Sequence, residues 1–367
     1  MENNGISRET LVALHETEGL GWKTIQKLWE QRKERPIREG MREGDLRELG
    51  LLPKQAAALA LSLNPERQER RRERRRRCGI EIVTFADPEY PELLRETPDP
   101  PWVIYFKGRL ELASRPSIAV VGTRLATAYG RHVAEEYSAI FAERGFTVVS
   151  GMARGIDTCA HRGALHRHGG TVAVLGTPVD QIYPPENRQL YRDLTEHGLV
   201  LSETPPDTPF HPHIFPSRNR VIAGLSLAVL VVEAPENSGA LITAKKAIDA
   251  DREVFILPGP VTSPRSKGGL QLLQEGTGTV ALDAEDVMKP ILSFLSSDFG
   301  NASRLPQDAE LTEEEHSLYE ILLDEPRTID ELAADTELAF GDLHTVLLSL
   351  QIKRKIRQLP GAIFQAI

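Results

Sequence analysis

The stretch FPSRNRVIAGLSLAVLVVEA, Phe215 to Ala234, runs from a short helical segment into LAVLVVE (227–233), a strand with no polar face. A strand that is apolar on both sides belongs inside a sheet covered on both sides. The same pattern recurs along the chain as SIAVV (117–121), TVVS (147–150), TVAVL (171–175), LVLS (199–202), EVFILP (253–258) and TVAL (279–282). Helical patterns of ten or more residues separate most of these runs. Residues from about 117 to 285 are therefore expected to form an α/β domain, a parallel sheet with helices on both faces.

Ligands of such a sheet collect in the crevice outside the carboxyl ends of its strands. The residues that follow each strand here are informative. Gly122-Thr123-Arg124 follow the first strand, and Ser150 ends the second before Gly151-Met152-Ala153-Arg154-Gly155. After 227–233, Asn237-Ser238-Gly239 open a helix that carries Lys245 and Lys246 one to two turns in. Glycines and hydroxyls at helix starts present backbone N–H groups and a positive dipole end, which together make an anion site. Several such turns in a row suit a phosphate chain better than one phosphate.

Arg218, Asn219 and Arg220 stand in the helix that enters the sheet. Residues two apart on a helix diverge by roughly 200°, so the two arginines are expected to do different work. At least one should face the sheet edge with Arg124 and contact phosphate. The other should hold a carboxylate, Glu203 or Glu233, while Asn219 bonds a neighbouring turn.

Reaction chemistry has no footing in the pattern. Neither G-x-G-x-x-G nor G-x-x-x-x-G-K-[ST] occurs, and Ser150 and Ser202 lack a nucleophile elbow. Cys159 reads as a small packing residue, and His161 as a helix-to-sheet hydrogen bond. His211 and His213 lack a carboxylate at ligand spacing, so no metal, cofactor or catalytic residue is expected.

The 367 residues suffice for two or three domains, and Cys78 and Cys159 are too few for a disulfide framework or a cysteine zinc site. No run approaches the roughly 20 apolar residues of a membrane span, and the polar start is unlike a secretory signal. A cytoplasmic protein is expected. The net charge of −9 conceals a dipolar distribution: Asp308 to Asp342 holds thirteen acidic residues and one basic, whereas Arg67 to Arg77 holds eight arginines and two glutamates. That arginine run has no apolar stripe, so it reads as a helix solvated on all sides, with phosphate contact the lesser reading.

Residues 1–65 read as short helices around a turn at Gly19–Gly21, and Glu16 and Glu18 beside it favour packing over DNA contact. Residues 66–116 form the arginine-rich helix and an entry segment to the core at 117–295. A linker (296–310) leads to residues 311–367. Their three helices and two strands about Pro360–Gly361 suggest a winged helix. Its third helix (339–355) is apolar and its surroundings acidic, so it is expected to meet protein and not duplex DNA.

The motifs VVGTR, SGMARGIDTCAHRGAL, TVAVLGTPVDQIYPPEN, LVLSETPP, FPSRNRVIAGLS, VVEAPENSGALITAKKA and VFILPGP occur in this order. Over about 80–285 the chain resembles the DNA-processing protein A (DprA/Smf) family. The resemblance implies an extended Rossmann-like domain with an N-terminal SAM- or helix-hairpin-helix-like domain and a C-terminal winged helix. It also implies a non-enzymatic dimer that binds single-stranded DNA and loads RecA onto it in natural transformation and recombination. By position, the family's DNA-binding turns fall on Gly122, Thr123 and Arg124; on Ser150, Gly151 and Arg154; on Arg218, Asn219 and Arg220; and on Ser238 and Gly239, with Lys245 in the helix they open. GGLQLLQEGTGTV (268–280) lacks the asparagine usual after the sixth strand. The rivals on the same broad fold are a phosphoribohydrolase-like nucleotide-processing enzyme, whose P-G-G-x-G-T loop reads APENSGALIT here, and a sensor of a nucleotide messenger.

Overall fold

The computed structural model describes residues 5–209, 214–298, 312–324, 326–336, 343, 346–347, 349–350, 355–359 and 363–366. The chain divides into two compact units, residues 1–295 and 296–367.

The first unit opens with five helices, α1 (Arg8–His15), α2 (Trp22–Glu30), α3 (Glu43–Glu48), α4 (Pro53–Ser62) and α5 (Pro65–Arg77). Strand β1 (Glu81–Thr84), the short α6 (Glu92–Arg95) and strand β2 (Val103–Gly108) follow. Then strands and helices alternate: β3 (Ser117–Val121), α7 (Ala128–Glu143), β4 (Thr147–Ser150), α8 (Ile156–Ala164), β5 (Thr171–Val174), α9 (Arg188–His197), β6 (Leu199–Ser202), α10 (Ile214–Gly224), β7 (Ala228–Val231), α11 (Gly239–Ile248), β8 (Glu253–Ile256), α12 (Lys267–Gln274), β9 (Thr279–Val280) and α13 (Ala284–Asp298).

All nine strands form one sheet in the order β1-β2-β6-β5-β4-β3-β7-β8-β9. Strands β3 to β9 run parallel, and the hairpin β1–β2 adds an antiparallel edge through β2 and β6. Each expected strand is present at its place. The apolar-on-both-sides pattern has a direct cause in β7. Val229 packs into the cluster formed with α10 and α11, and its neighbour Leu230 into the cluster formed with α7, α8 and α13, both side chains fully buried. Burial of this kind stabilises by about 1.5–3 kcal/mol per side chain.

The first four helices share a core with the hairpin: Leu11, Leu14, Ile25 and Leu59 pack with Trp102 and Tyr105. Helix α5 corrects one expectation. Asn64 caps it by accepting from the Arg67 N–H, and Pro65 takes its first position. It is not solvated on all sides, because Gln68 and Arg75 are buried. Arg75 donates to both carboxylate oxygens of Glu9 at 3.0 Å, and Arg71 pairs with Glu16 at 2.8 Å. Carboxylates on and just after α1 select the buried face of α5, a job that apolar residues usually do.

The second unit contains α14 (Glu313–Asp324), β10 (Arg327–Thr328), α15 (Ile329–Asp335), β11 (Ile356–Leu359) and β12 (Ile363–Ala366). Its strands form an antiparallel sheet in the order β10-β12-β11 over a core that includes Leu318, Leu322, Leu332, Leu347 and Phe364, a winged-helix arrangement. Thr328 and Glu331 close a capping box at the start of α15. The linker beyond residue 298, Asp342 and the Pro360–Gly361 turn lie outside the described residues, as do His211 and His213. Among the described residues no helix is long and apolar enough to cross a membrane, and no group of three or more histidine, cysteine or acidic side chains is placed to hold a metal.

Candidate nucleic-acid interface

Strands β3 and β7 are neighbours, yet the helices that follow them, α7 and α11, pack on opposite faces of the sheet. The chain thus leaves the two carboxyl ends in opposite directions and opens a crevice between them. A cleft of about 840 Å³ occupies this point, and Gly122, Thr123, Arg124, Arg218, Asn219, Ser238 and Gly239 line it together.

The turns around the cleft are interlocked. Gly155 has φ of +79°, and a Cβ there would lie 2.4 Å from the Thr123 carbonyl oxygen, so glycine lets the turn after β4 sit against the turn after β3. Within the same turn Met152 holds a left-handed φ of 55°. Its N–H donates to His161 Nε2 at 3.3 Å, and its carbonyl accepts from Asn187 Nδ2 at 2.9 Å. His161 is fully buried and bonds Thr171 Oγ1 on β5 at 2.8 Å. Burial, and then the nearby Arg218 charge, pull its pKa down to about 3, so it is a neutral fastener at physiological pH.

Arg218 lies beneath this turn. It donates to the carbonyls of Gly151, at 2.7 Å, and Val174, and its guanidinium stands where a Cβ on Gly151 would come within 2.5 Å. Burial lowers its pKa to about 10, with the Asp157 carboxylate opposing the drop, so it stays charged at neutral pH. Asp157 is buried in turn. Desolvation raises its pKa, and Arg218 with the Gly151 and Ala153 amides pulls it back. Asn219 reaches from its Nδ2 to the Gly239 carbonyl at 3.1 Å and ties α10 to the start of α11. Ser238 caps that start, its hydroxyl accepting from the Ala240 N–H at 3.3 Å.

Glu233, two residues past β7, is buried and turns to α7. Its carboxylate accepts from the Thr127 N–H at 2.9 Å and from the Thr127 hydroxyl at 2.5 Å. The positive end of α7, where a dinucleotide pyrophosphate would rest in this topology, therefore already holds an internal anion. The end of α11 opens into the cleft instead. Arg124 is exposed there, its guanidinium 5.5 Å from the Phe215 ring centre and free of ion pairs among the described residues. Lys267, at the start of α12, lines the opposite wall.

Other sequence candidates stand apart from the cleft. Arg220 donates to both oxygens of Glu203, at 2.6 and 2.7 Å, and approaches Asp99 at 3.4 Å. Ser150 is fully buried and donates to the Val120 carbonyl at 2.7 Å, so its hydroxyl is a strap between strands and not a ligand contact. Arg154 is exposed beside the cleft and paired with Glu186 at 2.6 Å. Lys245 is exposed on α11 but does not line the cleft. Sequence reasoning passed over Lys267, Asp157 and the capping role of Glu233. Lys267 directly precedes the stretch whose missing asparagine drew attention away.

Comparison with known proteins gives the family of the fold. The model of the DNA recombination-mediator protein A family matches residues 81–291, and that of the DprA winged helix domain matches 302–362. The chain belongs to the DNA recombination-mediator protein A family. Among its relatives is Protein Smf of Synechocystis sp., 36% identical over 387 residues, covering 96% of this chain and 89% of the relative. The X-ray structure of DNA processing protein A (DprA) from Streptococcus pneumoniae superposes with a TM-score of 0.69 at 31% identity, over 77% of this chain and 98% of that one. DNA processing protein A from Helicobacter pylori, whose structure concerns a single-stranded DNA binding mode, gives 0.54 at 27% identity over 59% and 98%.

Proposed function

We propose that this family member binds single-stranded DNA along the carboxyl edge of its sheet and passes it to a RecA-type recombinase in natural transformation and recombination. Arg124, Lys267 and the open end of α11 hold phosphates, with Gly122, Thr123, Ser238 and Gly239 giving the backbone close approach, while Gly151 makes room for the Arg218 guanidinium. Arg218 and Asn219 shape the floor, and Arg154 exchanges its exposed partner Glu186 for phosphate, since solvent screens such surface pairs. The protein works by binding and not by catalysis, as a homodimer in the cytoplasm.

One observation carries this reading: the exposed cations Arg124 and Lys267 meet at the cleft, whose buried carboxylate Asp157 is offset by Arg218, so that Glu236 is the one exposed carboxylate on its lining among the described residues. The nucleotide-enzyme and messenger-sensor alternatives are not favoured. Where the enzymes carry a glycine-rich loop, the chain has Asn237-Ser238-Gly239, and the nearby Glu233 is bound to Thr127, the cap of α7. Oligo-dT binding and nucleotide turnover measured side by side test the reading. Tight, ATP-independent binding without turnover supports it, and turnover without oligonucleotide binding refutes it.

A further inference from the structure

Helix α5 contains eight arginines and three glutamates, and the cleft at β3 and β7 leaves them without a role. Two arginines are structural: Arg71 and Arg75 hold Glu16 and Glu9. Arg74 reaches Asp180, in the loop after β5, at 3.8 Å, and also pairs with Asp207, in the loop after β6. His15, at the end of α1, bonds the carbonyl of Glu203 just past β6 at 2.8 Å. These contacts anchor α5 beside the carboxyl edge of the sheet, the edge that bears the cleft.

What the anchoring leaves exposed is a stripe. Arg67, Arg70 and Arg77, with the half-buried and paired Arg74 among them, recur at i, i+3, i+10 and i+7, within an arc of about 80° and along ~15 Å of helix. Arg67, Arg70 and Arg77 are exposed and form no ion pair among the described residues. Glu66 and Glu73 border the stripe, while Glu69 turns to Arg72 at 3.2 Å. Arg67, Arg71 and Arg74 also form one wall of a groove of about 670 Å³, whose other wall is the segment Pro205–Pro209. Of the groove's carboxylates, Glu16 and Asp207 are neutralised by Arg71 and Arg74, and Glu18 is exposed at its rim.

Chain neighbours link this groove to the cleft. A depression of about 200 Å³ shares Arg218 with the cleft and includes Glu203 and Thr204, the residues that lead directly into Pro205. We infer that the single strand held in the cleft runs on along the carboxyl edge to α5, where Arg67, Arg70 and Arg77 take further phosphates. The occupant is single-stranded nucleic acid, because the stripe is all-guanidinium, is free of apolar anchors and adjoins the cleft read above as the phosphate site, a reading on which this inference rests. The α5 contacts add length-dependent affinity with no sequence preference.

The test is fluorescence anisotropy with dT oligomers of rising length, on the full chain and on an Arg67→Ala/Arg70→Ala/Arg77→Ala variant. Because the three side chains are exposed and unpaired, the variant should melt within a degree or two of wild type. The shortest oligomer that wild type binds should keep its affinity within about twofold. The gain on lengthening to dT30 should fall at least tenfold, and the salt slope for dT30 should become shallower by about 2, the release expected for three single-strand phosphate contacts. The corresponding triple lysine variant should restore most of that gain. An unchanged dT30 affinity and slope would overturn the inference while leaving the cleft intact, as would a loss seen only with duplex DNA. Failure of wild type to bind any short oligomer would instead strike at the cleft itself.

Discussion

Arg218 and Arg124 are both arginines of the cleft, and their surroundings assign them opposite tasks. Arg218 is buried against two carbonyls and Asp157, so Arg218→Ala strands a buried carboxylate and should cost roughly 3–5 kcal/mol of stability, read as a lower urea midpoint. Arg124 is exposed, so Arg124→Ala should leave the melting temperature unchanged and weaken oligo-dT binding, with a salt slope shallower by about one charge. His161 supplies a pH signature. The folded imidazole stays neutral down to about pH 3, whereas an unfolded histidine takes up its proton near 6.5. Its contribution is complete above pH 6.5 and is lost as pH falls towards 3. Between pH 7.5 and 5 wild type should therefore lose about 2 kcal/mol more stability than His161→Asn, measured by urea denaturation.

At the level of elements, the carboxylate of Glu233 stands in for a ligand at the start of α7. Glu233→Ala removes two hydrogen bonds to a carboxylate that holds the Thr127 cap, should cost about 1.5–3 kcal/mol, and should create an anion site. Inorganic phosphate should then raise the melting temperature of the variant more than that of wild type. Equal responses would mean that the helix end is closed by something other than this carboxylate. The seven parallel strands were legible because each is apolar on both faces and bounded by turn residues. The hairpin was not: IEIVTF and WVIYF are separated by a four-residue helix and a proline-rich loop, which breaks the strand–helix rhythm used to find the others. The buried face of α5 was invisible for another reason. Its partners are the carboxylates of Glu9 and Glu16, and hydrophobic periodicity has no term for a helix that docks by charge. In the cleft, the order of motifs pointed to Arg124 and Ser238, but only coordinates could separate Arg218 from Arg220 or remove Ser150 from the surface.

Over the whole molecule, opposite charge is segregated: arginines concentrate on α5, and carboxylates between Asp308 and Asp342. The acidic unit should repel a phosphate backbone, so deleting residues 305–367 should leave single-strand affinity within a few-fold at fixed salt and protein concentration. A hundredfold loss would give that unit a direct hold on DNA. The central claim is that the carboxyl edge of the sheet is a phosphate track for single-stranded DNA. Its most direct test is the affinity of the full chain for dT30 and for a duplex of equal length, each at 50 and 200 mM salt, with wild type and an Arg124→Ala/Lys267→Ala variant. The single strand should bind more tightly than the duplex, weaken steeply with salt, and lose affinity in the variant at an unchanged melting temperature. Equal affinity for duplex and single strand, a flat salt response, or a variant that binds like wild type would contradict it.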